Sequence, residues 1–488
     1  MQKDVQINRK TVFNSLVWKS IERVLTQGIN LVVQVILARL LLPETFGSLA
    51  IIVTITTYAN IFVQSGLATS IVQKQELDDW DISTVLIASL GIALICYLLI
   101  FCAAPWISRY YQLPELKWAL RVLAIVLFLN AIYSVENALL SRNMEFKKLL
   151  KRSMIAIPIA GTVSITMAYL GCGIWSLVAL TLTNMAVTVL VLGIGSNLRV
   201  KFRFSVTKAK EIYSFSGKIL IANLLTGLHD ALRTMLIGKI YSSKDLAYYD
   251  KANTYAGYIS DLSRDSISSV LLPTFSRKQE HLDQIKAMAR KSVGLGSFVM
   301  FPVLLGFMAT SKSFVLVVLT SKWEKSIPFL MIFCILRLAT VLKNIDFQVY
   351  YALGSSGINL IYCIVFSFIN IMALLFSVRI GIMEVAIAAT ITEYLSFIAI
   401  MFISSNLYNY SILERIKDMS KPAINAALMS IAVWNVQRIN APLLFVLILQ
   451  VVIGIIVYVG LALTTKDENL TYIINLIKEK RIKKNNSI

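Results

Sequence analysis

The chain has 488 residues, 57% of them hydrophobic and only 15% charged, with a formal net charge of +20 and a mean hydropathy of +0.71. Soluble domains run near 45–50% apolar and about 25% charged, so a soluble multidomain protein is excluded. Apolar runs of about 20 residues recur from end to end, each long enough to cross the ~30 Å hydrocarbon core as a helix. They are continuous rather than alternating, which argues against a β-barrel.

The expected fold class is an all-α integral membrane protein with about fourteen transmembrane helices. In chain order the spans are 12–41, 45–72, 82–107, 115–141, 147–170, 174–196 and 211–241, then 245–274, 287–310, 326–353, 358–379, 382–405, 418–437 and 442–465. The polar start MQKDVQINRK, followed by an apolar run with no small-x-small site, does not read as a cleavable signal peptide. With the N-terminus placed in the cytoplasm, the inner segments hold about three times as many Lys and Arg as the outer ends. That bias fits an even span number with both termini inside. The positive charge is therefore read as loop charge, and no nucleic-acid partner is expected. RIKKNNSI at the C-terminus and the 142–152 loop read as basic surfaces lying against anionic lipid headgroups.

Sliding the sequence by 200 residues lays LARLLLPETFGSLA (37–50) on IGKIYSSKDLAYYD (237–250). Identity is negligible, but both stretches read helix, terminal cation, short polar turn, helix restart. Pro43 stops the first helix, and Arg39 and Lys239 sit where a cation complements a helix C-terminus. These two are assigned a duplicated structural role or an outer gate. The expected organisation is an N-lobe at 1–198, a C-lobe at 199–405, an added helix pair at 406–465 and a basic cytoplasmic tail at 466–488. Parallel duplicated lobes with a site at their interface are a common transporter plan.

Ionisable groups in hydrocarbon are costly unless they face protein or water, so their positions trace the lumen. The first span carries Lys19, Arg23, Thr26, Asn30 and Gln34 on one helical face. The seventh carries Asn223, Thr226, Asp230 and Arg233, and the eighth Asp250, Thr254, Gly257, Asp261, Arg264 and Ser268. The tenth has Arg337, Thr340, Asn344 and Gln348, with Lys343 and Asp346 nearby. Asp230 with Arg233 and Asp261 with Arg264 are spaced to pair within their helices. The bland alternative is that such pairs only staple helices together. One polar face per helix in both lobes favours a cavity that binds an anion. Guanidinium groups suit a diphosphate, because they present several donors in a planar fork and stay ionised when partly desolvated.

Other motifs carry less. SGK at 216–218 lacks the upstream glycine of a phosphate-binding loop. Asp79-Trp80-Asp81 has the acid-x-acid form of metal-dependent glycosyltransferases, but stands alone ahead of a span, where capping is the preferred reading. His229 and His281 are not spaced as a metal site, and Cys96, Cys102, Cys172, Cys334 and Cys363 lack CxxC spacing. No metal, disulfide or cofactor is expected, and no catalytic residue.

The stretch NSLVWKSIERVLTQGINLVVQVILARLLLPETFGSLAIIVTITTYANIFVQSGLATSIVQK resembles the N-terminal signature of bacterial polysaccharide flippases. These are the Wzx-type, WzxC-like exporters of the MOP superfamily, which also holds MATE drug exporters and lipid II flippases. The most specific elements are Leu-Ala-Arg-Leu-Leu at 37–41, Pro43, Phe46-Gly47 and Ser65-Gly66-Leu67, and the likeness runs through the twelfth span. It implies two six-helix lobes, often with two extra helices. It also implies a non-enzymatic transporter that moves undecaprenyl-diphosphate-linked oligosaccharide across the bacterial cytoplasmic membrane by alternating access, for cell-surface polysaccharide assembly. Its partners would be the lipid-linked oligosaccharide, membrane lipids and other polysaccharide-assembly proteins. The diphosphate ligands would be Lys19, Arg23, Arg233, Arg264, Arg337 and Lys343, with Arg23 and Arg264 on helices equivalent to those carrying cavity arginines in related flippases. A coupling ion would load at Asp230, Asp261 or Asp346. Two alternatives stay open: a MATE-like exporter of small cations, and a membrane glycan polymerase or ligase, which usually needs a larger outer loop than any here.

Overall fold

The structure, a computed structural model, describes residues 9–64, 71, 78–143, 145–195, 204–278 and 280–475. Ser65-Gly66-Leu67 and the tail end RIKKNNSI lie outside the described residues. Helices are the regular structure of the described residues, and no strand occurs among them. In chain order they are α1 Arg9–Leu40, α2 Pro43–Gln64, α3 Asp79–Tyr111, α4 Glu115–Leu123, α5 Val126–Arg142, α6 Phe146–Tyr169, α7 Ile174–Gly195 and α8 Val206–Ile240. There follow α9 Ser243–Ser276, α10 Leu282–Phe314, α11 Ile327–Ala352, α12 Ser356–Ser377, α13 Ile382–Tyr408, α14 Ile412–Asn435 and α15 Leu443–Thr464.

Among the described residues, eleven helical segments are long and apolar enough to cross a membrane. The fourth is Glu115–Arg142, in which α4 and α5 run on through a break at 124–125. Helices α8, α9 and α14, which the sequence reading also places in the membrane, are not in that set. Whole rows of large apolar side chains face outward, among them Leu94, Ile95, Leu98 and Leu99 on α3 and Val451, Val452, Ile455, Ile456 and Val459 on α15. Such belts are untenable in water and ordinary against lipid.

Polar punctuation sets the helix starts. Asp78 accepts from the Asp81 amide at 2.7 Å while its own amide donates to Asp81 Oδ2 at 3.2 Å, a reciprocal capping box for α3. The acidic DDWD stretch is thus a helix start, as the capping reading expects. Ser411 and Glu414 build the same device for α14.

The chain forms two compact units, Met1–Ala247 and Tyr248–Ile488. In unit 1, α1 packs on α6, α6 on α7, and α2 on α5, α7 and α8. One of its core clusters gathers Ile52, Val63, Ala93, Leu116, Leu120, Leu123 and Leu127. Contacts of α8 with α2 and α3 carry this unit past the repeat boundary at 198. In unit 2, α10 packs on α11, α14 and α15, and α11 packs on α13, around Phe275, Phe298, Phe301, Tyr350 and Phe397.

The 200-residue offset holds in the backbone. Helix ends at 40 and 240, a two-residue break follows, and helix restarts at 43 and 243. The two turns touch: a Cβ on Gly47 would lie 1.6 Å from the carbonyl oxygen of Ser243. Only glycine permits that approach.

Candidate functional site

Each unit carries its own set of membrane-depth polar groups. In unit 1, the side chain of Lys19 lies outside the described residues, and Arg23 is exposed on α1. Its neighbour Glu22 turns to α6, where it accepts from Ser153 Oγ at 2.9 Å and lies 3.8 Å from Arg152. On α8, Arg233 meets Asp230 at 3.0 Å, as the three-residue spacing predicts, and His229 Nδ1 is 3.6 Å from the same carboxylate.

The helix-end cations Arg39 and Lys239 differ in setting. Arg39 is exposed. Lys239 donates to the carbonyl of Tyr110 and sits 4.2 Å from that ring's centroid. Beside it Tyr111 donates to the Met235 carbonyl at 3.2 Å, which ties the end of α8 to the end of α3. Across the two turns, Lys244 and Glu44 pair at 3.2 Å.

In unit 2, Arg337 on α11 donates to Asn253 Oδ1 on α9 at 2.7 Å. The Cα of Gly257 faces this contact: an added Cβ would stand 3.4 Å from Arg337 Nη2 and 3.9 Å from Asp261 Oδ2. So Arg337 and Asp261 border one polar spot. The side chain of Arg264, further along α9, lies outside the described residues.

The remaining stripe of α11 is zipped to α13. Lys343 is buried, pairs with Glu393 at 2.8 Å and donates to Ser396 Oγ at 2.7 Å, and Glu393 also accepts from Thr340 at 2.7 Å. Asp346 is fully buried. It takes both guanidinium nitrogens of Arg415 at 2.6 and 2.7 Å, and hydroxyl donors from Tyr408 at 2.6 Å and Ser404 at 2.8 Å. Sequence reasoning missed Glu393, although an acid in the middle of an apolar span, well past Glu384 in the first turn, was a signal. It counted Arg415 as a cytoplasmic loop charge, whereas the side chain is fully buried beneath the ring of Tyr410.

Unit 2 also holds an apolar cleft of about 460 Å³, lined by Ile259, Pro302, Phe307, Met429, Val451 and Tyr458 among others. Its lining is predominantly apolar.

Residues 36–328 match the model of a family described as polysaccharide biosynthesis protein. The chain belongs to that family. Among curated members of the wider group, it is similar to the succinoglycan biosynthesis transport protein ExoT of Rhizobium meliloti (strain 1021), 26% identical over 324 residues. That alignment spans 66% of each chain. It is 23% identical over 338 residues to the lipopolysaccharide biosynthesis protein WzxC of Escherichia coli (strain K12), spanning 69% of each. Among solved structures, the lipid II flippase MurJ in an inward closed conformation superposes with a TM-score of 0.77 at 16% identity, covering 92% of this chain and 99% of that one. An inward-facing multidrug resistance MATE family transporter of the MOP superfamily superposes at 0.59 and 15% identity, covering 82% and 98%. This polysaccharide biosynthesis family member therefore has the MOP-superfamily fold.

Proposed function

We propose that the chain is a flippase for an undecaprenyl-diphosphate-linked oligosaccharide, working by alternating access in the bacterial cytoplasmic membrane with both termini inside. The observation that carries this reading is the family match combined with the MurJ-like fold. Relatives whose printed names describe polysaccharide transport and biosynthesis support it. No covalent chemistry is assigned to it, and other polysaccharide-assembly proteins are its natural partners.

In this reading the diphosphate enters a cavity lined by the polar stripes, where Lys19, Arg23, Arg233, Arg264 and Arg337 lower the cost of moving an anion through low dielectric. Lys343 acts from within its pair with Glu393. The polyprenyl tail keeps to apolar surface, for which the cleft lined by Pro302, Phe307 and Met429 is suited. Arg39 and Lys239 belong to the outer gate. Asp230 and Asp261 are the coupling-ion candidates that border cations, whereas Asp346 would have to release Arg415 to serve.

The test is glycan export at matched protein level from cells carrying Arg23→Ala or Arg264→Ala. Loss of export is expected for each. Normal export from both would sink the anion-cavity reading.

A further inference from the structure

Glu136 on α5 stands apart from the other described acids of unit 1. It is 6% exposed, and its Oε2 makes no hydrogen bond. It lies six residues before the end of α5 at Arg142, the end assigned above to the cytoplasm. Helices α2, α3, α6 and α7 pack against α5, and none of their described side chains forms an ion pair with Glu136. The α7 sequence has no charged residue, and Gly193 is what it turns toward the carboxylate, its would-be Cβ 3.9 Å from Oε1. The one acid on α2, Glu44, is at the opposite end.

The charges near the same end have other engagements. On α3, Asp81 caps the helix and lies 3.3 Å from Lys208, and Asp79 is exposed. On α6, Lys148 pairs with Glu145 at 2.6 Å and Lys151 is exposed. Arg152 lies 3.8 Å from Glu22 and 5.2 Å from the ring centroid of Tyr133, while its Nη1 is buried without an acceptor. The side chain of Lys147 is outside the described residues. On α5 itself, Arg142 donates to the Ile71 carbonyl at 2.8 Å.

Among the described residues Glu136 Oε2 is buried without donor or counter-ion, a setting strongly disfavoured for a carboxylate, so this packing accommodates the neutral acid. Resting on the transport reading above, we propose that Glu136 is a proton-binding site of the transport cycle. The acid is neutral while packed against α2, α3, α6 and α7, and gives its proton to cytoplasmic water when that end of unit 1 opens. The proton is taken back as the end closes, so proton occupancy and closure are linked. None of the coupling candidates read from the polar stripes lies on α5. The signal was again an acid in the middle of an apolar stretch.

The experiment uses the full-length chain in lipid vesicles, with two readouts. Infrared difference spectra of wild type against Glu136→Gln are expected to show a protonated carboxyl band that the substitution removes. Flipping of a lipid-linked glycan is expected to rise with the pH on the cytoplasmic face, by up to about tenfold per unit, the limit for one linked proton. Glu136→Gln is expected to lose that slope while still flipping. Glu136→Asp keeps the acid, retains band and slope, and covers the case in which the amide variant does not fold. A wild-type spectrum without the band, or an unchanged slope in Glu136→Gln, overturns the proposal. Absence of flipping by wild type at every pH would overturn the transport reading and the cycle assignment with it, while the band reports proton binding independently.

Discussion

The carboxylate of Glu44 and the ammonium of Lys244 lie 3.2 Å apart, and the two residues hold the same place in two turns that break and restart their helices identically. The pair joins one copy of the turn to the other. Both side chains are close to half exposed, so the attraction contributes under about 1 kcal/mol. Its value to a transporter is kinetic, since a weak contact can be made and broken in every cycle.

Reversing one charge, with Glu44→Lys, is expected to leave the melting temperature within a degree or two and to change the export rate several-fold. The exchange Glu44→Lys with Lys244→Glu should restore the rate. Export and thermal unfolding measured on the same preparations check this. Equal rates in single and double variants would show that the pair has no part in the transport cycle.

Asp346 and Arg415 form the opposite kind of pair. Both are fully buried and every Asp346 oxygen has a donor. Removing one partner leaves an uncompensated buried charge, at a cost of about 3–5 kcal/mol. Asp346→Ala is therefore expected to lower thermal stability strongly, and adding Arg415→Met should recover part of the loss. Unfolding midpoints of the three proteins decide the matter. If Asp346→Ala keeps wild-type stability, the carboxylate is not structural.

Lys343 and Glu393 separate structure from substrate contact. If Lys343 serves through its pair with Glu393, Lys343→Met and Glu393→Gln are expected to reduce export to a similar degree. A much larger loss for Lys343→Met at equal stability would place the ammonium on the diphosphate. Export and melting curves for both variants give the comparison.

The contact of Lys208 with Asp78 is expected to ignore physiological pH. Its hydrogen bond with Lys208 is the main cause that lowers the Asp78 carboxyl from 3.8 to about 2. A depressed carboxyl adds stability above its unfolded value, and that contribution disappears as pH falls toward 2. Between pH 5 and 8 the contribution is constant. Any pH slope in that window must therefore come from elsewhere, and Asp78→Asn should leave the slope intact. Salt should weaken the contact, because Asp78 is more than half exposed.

Local spacing was readable and long-range pairing was not. The turn at Pro43, the capping role of the acidic stretch before α3, and the Asp230–Arg233 contact all depend on residues a few positions apart. Asp346 finds Arg415 across 69 residues, and Lys343 finds Glu393 on a helix whose apolar composition gave one hint. The break between α4 and α5 has no proline or glycine to announce it; residues 124–125 are Ala and Ile. Arg415 shows the limit of charge counting: a cation near a membrane boundary can turn inward when a buried carboxylate waits for it.

Helix α8 packs on α2 and α3, with Gly227 against Ile61 and Gly238 against Ile51. That has a consequence for synthesis. When the ribosome has delivered the first six spans, α2 still lacks the neighbour against which these glycines settle. The N-terminal half of the chain is finished only after α8 has been inserted, so a nascent chain paused before residue 206 presents α2 to lipid, or to an insertase, with one face uncovered.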